Sequence, residues 1–227
     1  VTRPGGGGAD DPHAGGPLVT AGAPAGATEV AVVLLHGRGA TPDGVVRLAD
    51  PLYRHGVTFY APGGDRSRWF PYSAFAPVER NEPHRSSALR RVEAVVDEVT
   101  EVLPVERVVV GGFSQGGCLA AEFAVRRPRR YGGVFALGGG LLGPDDRLAA
   151  LPREGSGSLE GTPVFLGCGD ADERVPVERV RETAEVLRAL DADVTTRVYE
   201  GLGHEVNDDE FRVVGESLDR LLASVPG

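Results

Sequence analysis

The chain contains no lysine, no isoleucine and no methionine, and only two cysteines, Cys118 and Cys168, in 227 residues. Two cysteines make no disulfide framework, and both are expected to be buried as small apolar side chains. All 24 basic residues are arginine, a skew that GC-rich coding produces and that a high-salt cytoplasm would also suit. A net charge of −9 argues against nucleic acid as a partner, because such binding wants a basic face. No apolar run approaches the ~20 residues needed to span a bilayer. The opening residues lack an apolar signal-peptide core, so no signal peptide is expected and the cytoplasm is the expected compartment. Metal-ligand spacings, a phosphate loop and a dinucleotide fingerprint are all missing, so no cofactor is expected. The sequence is silent on oligomeric state.

What is present reads as one α/β domain. At 41% hydrophobic content a single domain with a substantial core is expected over residues 16–227, behind a flexible glycine-rich leader over 1–15. Strand and helix patterns alternate throughout, which argues a mostly parallel, doubly wound sheet with helices on both faces. Strands read at 30–35, 57–61, 107–112, 133–138, 163–168 and 194–199, with a short extra one near Leu18. A helix over 86–102 puts Leu89, Val92, Val95, Val96, Val99 and Leu103 on one stripe, and another follows Pro176. The last helix carries Phe211, Val214, Leu218, Leu221, Leu222 and Val225 on one face. No segment is long enough for a cap domain, and residues 141–161 read as a surface excursion.

The most informative stretch is Gly112-Phe113-Ser114-Gln115-Gly116. With 33 glycines and nine serines in 227 residues, chance would supply about 0.2 Gly-x-Ser-x-Gly patterns, so the pattern needs its context. That context is a β-branched strand before it and a helix after it, the arrangement of a nucleophile elbow. Glycine on both flanks relieves the collisions such a sharp turn would cause. A serine hydroxyl also needs a histidine to take its proton and an acid to orient that histidine. In this fold class the order is serine, acid, histidine. Only His204 of the five histidines follows Ser114, so His204 is the base by elimination. The acid should sit in the loop after the 163–168 strand, where periodicity leaves Asp170 and Asp172 open. The Gln115 N–H, next after the nucleophile, is one expected oxyanion donor.

The aromatic segment Arg68-Trp69-Phe70-Pro71-Tyr72 follows the strand ending near Ala61, on the same edge of the sheet as the serine loop. Loops on that edge carry ligands in open α/β sheets. Trp69, Phe70 and Tyr72 are therefore expected to line the acyl pocket, the plainer alternative being that they only cover the sheet.

The chain resembles the phospholipase/carboxylesterase family of α/β hydrolases, which includes bacterial carboxylesterases and acyl-protein thioesterases. The matching segments are Leu34-Leu35-His36-Gly37-Arg38-Gly39, Gly111 through Gly117, the G-x-x-D-x-x-V-P run from Gly169 to Pro176, and Gly203-His204-Glu205-Val206. The stretch from Trp69 through Asn81-Glu82-Pro83 is similar to a bacterial subgroup. The resemblance implies that Asp172 is the acid and that the Arg38 N–H is the second oxyanion donor. Leucine is usual at that point in acyl-protein thioesterases, so the Arg38 side chain is expected either to meet a polar group of the substrate or to lie in solvent. His36 is expected to be structural. The implied activity is hydrolysis of an acyl ester through an acyl-enzyme, with thioesters, lysophospholipids and lactones as alternative substrates. A non-catalytic ligand receptor on the same scaffold is the alternative of another class.

Overall fold

The computed structural model describes residues 11–24, 26–144 and 157–224. Seven strands form one sheet in the order β1-β3-β2-β4-β5-β6-β7. They are β1 (Leu18–Gly22), β2 (Val30–Leu35), β3 (Val57–Pro62), β4 (Val108–Phe113), β5 (Gly133–Leu137), β6 (Pro163–Gly169) and β7 (Asp193–Tyr199). Only β1 is antiparallel to its neighbour, pairing Leu18 with Pro62; the remaining pairs are parallel. Among the described residues the α-helices are α1 (Pro42–Leu48), α2 (His84–Thr100), α3 (Gln115–Arg126), α4 (Val177–Ala189) and α5 (Asp208–Ala223).

Parallel strands need crossover helices, and the side-chain alternation shows where those helices lie. Along β2 every residue is buried. Ala31, Val33 and Leu35 pack into a cluster with α2, α3 and α4. Val30, Val32 and Leu34 face the other way, against Val45 of α1 and Val214 and Leu218 of α5. A continuous apolar run of this kind marks a strand covered on both faces. The result is three layers, helix on sheet on helix.

Strand order places the site. The chain runs from β2 outward to β3, then returns to the opposite side of β2 to make β4. Ligands in open parallel sheets bind outside the carboxyl ends of the strands where the winding direction reverses. Here that point lies between β2, which leads into Gly37 and Arg38, and β4, which leads into Ser114.

The strands and helices lie within one to three residues of their sequence-based positions, with the extra N-terminal strand at β1. Helix α1 adds an element that the sequence pattern does not show; Thr41 caps it by accepting from the Gly44 N–H at 3.1 Å. Of the leader, residues 1–10 lie outside the described residues, whereas residues 11–15 are built into the fold. His13 is buried, Nδ1 accepts from the Asp65 N–H at 2.9 Å, and Nε2 donates to the Trp69 carbonyl at 3.1 Å. Burial pulls the His13 pKa down to about 4. The expected surface excursion over 141–161 is also anchored at both ends, because Leu141, Leu142 and Leu159 are buried; residues 145–156, like Val225, lie outside the described residues.

Candidate active site

Ser114 sits between β4 and α3 with φ 58° and ψ −122°, a left-handed backbone that non-glycine residues rarely adopt. The fold holds it there from both sides. Its N–H donates to the Leu137 carbonyl of β5 at 2.9 Å, and its carbonyl accepts the Cys118 N–H at 2.9 Å. The flanking glycines follow from this packing: a Cβ on Gly112 or on Gly116 would overlap the carbonyl oxygen of Leu35 at the end of β2. The elbow can therefore press against β2 only if both flanks lack side chains.

His204 lies in the turn between β7 and α5. Its Nδ1 is 2.7 Å from Asp172 Oδ2 and its Nε2 is 2.8 Å from Ser114 Oγ. A carboxylate can only accept, so Nδ1 carries the proton and donates to Asp172; neutral Nε2 then accepts from the Ser114 hydroxyl. The Phe113 ring lies against the imidazole at 5.0 Å between centroids, inclined by 31°. Asp172 is deeply enclosed, its side chain 1% exposed against 12% for His204. The other carboxylate oxygen, Oδ1, accepts the Arg174 and Val175 N–H groups at 2.8 and 3.0 Å. Of the two aspartates open in the sequence, Asp172 meets His204. Asp170 instead accepts the Gly201 N–H at 2.7 Å and fastens one loop to the next.

Two backbone donors point to the remaining chemistry. The Gln115 N–H opens α3, so it has no partner within the helix and lies at the positive end of its dipole. The Arg38 N–H lies in the turn after β2, which is tied down where Gly39 N–H donates to the Ser67 carbonyl at 2.7 Å. Neither N–H donates a hydrogen bond among the described residues.

The aromatic segment corrects one expectation. Trp69 and Phe70 are both fully buried and belong to the core; neither lines a hollow beside Ser114. Trp69 stacks on His36 at 4.9 Å and donates its Nε1–H to the His36 carbonyl at 2.9 Å. The physical reason is that the Trp69 N–H, its indole N–H and the Phe70 carbonyl all have partners inside the protein. Gln115 Oε1 accepts the Trp69 N–H and Gln115 Nε2 donates to the Phe70 carbonyl, both at 3.0 Å. His36 is structural, as expected: buried, with Nδ1–H donating to the Gly37 carbonyl at 2.8 Å and Nε2 accepting the Gly64 N–H at 3.0 Å. Tyr72, 47% exposed, does line a hollow with Ser114.

Arg38 does something neither sequence alternative described. Its Nη2 donates to the carbonyls of Phe70 and Tyr72, both at 2.8 Å, so the side chain braces the aromatic loop. Sequence patterns miss such bonds because the acceptors are carbonyls 32 and 34 residues away.

Two hollows flank Ser114. One is lined by Gly37, Arg38, Val45, Leu48, Phe113 and His204, with Arg174 at its rim. The other is lined by Tyr72, Ala74, Phe75, Gln115, Cys118 and Val175, with Arg38 and Arg174 again on its border. Both cysteines are buried and free, and burial pushes each thiol up to about 11. Among the described residues no group of His, Cys, Asp and Glu could hold a metal ion, and no helix is long and apolar enough to cross a membrane.

A sheet wound about β2, a strained serine at the end of the adjacent strand β4 and a histidine after the last strand define an α/β hydrolase. The sequence profile of the phospholipase/carboxylesterase family matches residues 19–222, and the chain belongs to that family of esterase-type hydrolases. The crystal structure of a phospholipase/carboxylesterase from Dyadobacter fermentans superposes with a TM-score of 0.83 at 38% identity, covering 89% of this chain and 96% of that one. Acyl-protein thioesterase 1 of Emericella nidulans is 27% identical over 86% of this chain and 92% of its own length. Acyl-protein thioesterase 1 of Gibberella zeae is 31% identical, over 56% of this chain and 54% of its own length.

Proposed function

We propose that this protein is a serine carboxylesterase working through an acyl-enzyme. The observation that carries the reading is the single imidazole that spans Ser114 Oγ at 2.8 Å and Asp172 Oδ2 at 2.7 Å. Ser114 Oγ attacks the ester carbonyl while His204 Nε2 takes its proton, and the Arg38 and Gln115 N–H groups hold the oxyanion that forms. Asp172 keeps His204 in the productive tautomer and stabilises the imidazolium. The intermediate then collapses: His204 returns the proton to the leaving alcohol oxygen, and the acyl group stays on Ser114. Water enters, gives its proton to His204 and attacks the acyl-serine, and a second collapse releases the carboxylic acid and restores the hydroxyl.

The same proton transfer sorts the hollows. His204 must reach the leaving oxygen, so the alcohol occupies the hollow that His204 lines. The acyl chain takes the other, against Tyr72, Phe75 and Val175.

The thioesterase names of the fungal relatives support a second reading, in which a thiolate departs instead of an alkoxide. Initial rates on p-nitrophenyl esters, acyl-CoA thioesters and lysophospholipids, each with Ser114→Ala alongside, decide between them. The carboxylesterase reading expects the highest kcat/KM on the oxygen esters, all of it lost in Ser114→Ala. Faster turnover of thioesters at matched acyl length would transfer the assignment to a thioesterase.

A further inference from the structure

In a chain of net charge −9, both hollows beside Ser114 are bordered by Arg38 and Arg174, and neither is lined by an aspartate or glutamate. Asp172, the carboxylate that meets His204, is fully engaged by that ring and by two backbone N–H groups. Glu173 and Glu205, its acidic neighbours in the chain, line neither hollow.

The two arginines differ in what their side chains do. Arg38 is committed to the Phe70 and Tyr72 carbonyls. The Arg174 backbone N–H serves Asp172, but its guanidinium is exposed and meets no partner among the described residues. A third positive charge, Arg68, acts on Arg38; its Nε is buried without a hydrogen-bond partner among the described residues. Burial, and secondarily the charge of Arg68, push Arg38 below its ordinary arginine range. Positive charges that oppose one another are relieved by an anion. A free guanidinium presents a planar fork of donors that matches a carboxylate or phosphate.

We infer that the enzyme selects esters carrying a negatively charged group a few atoms from the scissile carbonyl, and that Arg174 is the specificity-determining residue that receives it. This rests on the esterase reading above and adds the substrate class. Because Arg174 borders both hollows, the charge can sit on the acyl or on the alcohol half of the ester.

The test measures kcat/KM on two matched pairs. Mono-4-nitrophenyl glutarate against 4-nitrophenyl pentanoate places the charge on the acyl side; carboxymethyl butyrate against propyl butyrate places it on the alcohol side. We expect the wild type to favour the charged member of at least one pair by about tenfold, the size of one exposed, charge-assisted contact. The ratio should fall to about one in Arg174→Gln, persist largely in Arg174→Lys, and shrink at 0.5 M salt as charge screening demands. Ser114 labelling and melting temperature, followed in parallel, show that each variant is folded and reactive. Ratios at or below one for both pairs in the wild type, with the neutral esters still hydrolysed, overturn the inference and leave the esterase reading standing. A wild-type preference that survives Arg174→Gln also overturns it. If no member of either pair is hydrolysed, the esterase reading falls and this inference with it.

Discussion

Replacing Asp172 with asparagine tests the geometry at one atom. Oδ1 already accepts two backbone N–H groups, from Arg174 and Val175. An asparagine must keep its carbonyl oxygen there, because turning its amide would set NH₂ against two donors. Its NH₂ is thereby forced to the place of Oδ2, facing His204 Nδ1 at about the present 2.7 Å. Nδ1 must then accept, the ring proton moves to Nε2, and Nε2 donates to Ser114 Oγ instead of taking its proton. Loss of the imidazolium partner adds to this. Together a fall in kcat of about 10⁴-fold is expected, with the fold intact. Asp170→Asn is the control: its Oδ1 serves only the exposed Gly201 N–H, an acceptor that asparagine keeps, so the change should stay within about threefold. Steady-state rates on a p-nitrophenyl ester, with circular dichroism and melting curves for both variants, make the comparison. Asp172→Asn within tenfold of wild type, or Asp170→Asn the more damaging of the two, would refute the reasoning.

Trp69→Ala removes a fully buried side chain that packs on His36, so it should cost about 3–5 kcal/mol of stability. Any loss of kcat/KM should be equal for acetate and longer acyl esters at a temperature where both proteins stay folded; a loss that grows with chain length would return Trp69 to the acyl site. Glu210 is buried, its Oε2 accepting the Asn207 N–H while Oε1 has no partner among the described residues, and burial pushes its pKa up from 4.5 to about 7. The folded state therefore holds a proton that the unfolded chain releases above 4.5, so this residue lowers stability progressively as pH rises through 4.5 to 7, by about 3 kcal/mol in all. Glu210→Gln should gain melting temperature over wild type at pH 8.5 and little at pH 4.5; an equal shift at both would count against it. His13, held near 4 by burial, loses stability as pH falls from 6.5 toward 4, the opposite direction over much the same window, so the comparison is made between variant and wild type at each pH.

The layers of the fold were legible because buried parallel strands read as β-branched runs, as in Val30–Leu35 and Val108–Phe113. The elbow was legible because it needs glycine at two fixed offsets from the serine, both facing the Leu35 carbonyl. His204 was legible because it is the one histidine after Ser114 and it follows the last strand. Asp170 and Asp172 could not be separated by periodicity, since both sit in one turn and differ in which neighbour each reaches, 31 and 32 residues away; the G-x-x-D-x-x-V-P run of the family resemblance pointed to Asp172. The aromatic segment misled for a related reason. Large apolar residues near a site look alike whether they face substrate or core, and what buries Trp69 and Phe70 is a set of side-chain bonds from Gln115, Arg38 and His13. Helix α1 is seven residues long, too short for its two valines to establish a helical period.

The central claim is that Ser114 carries the acyl group during turnover. Rapid mixing with a p-nitrophenyl ester, acid quench, and intact-protein mass followed by peptide mapping measures it directly. One acyl adduct per chain is expected, on the peptide holding Ser114, formed with a burst of p-nitrophenol. Ser114→Ala should give no adduct and a kcat at least ~10³-fold lower. An adduct on another residue, or near wild-type turnover by Ser114→Ala, would contradict it.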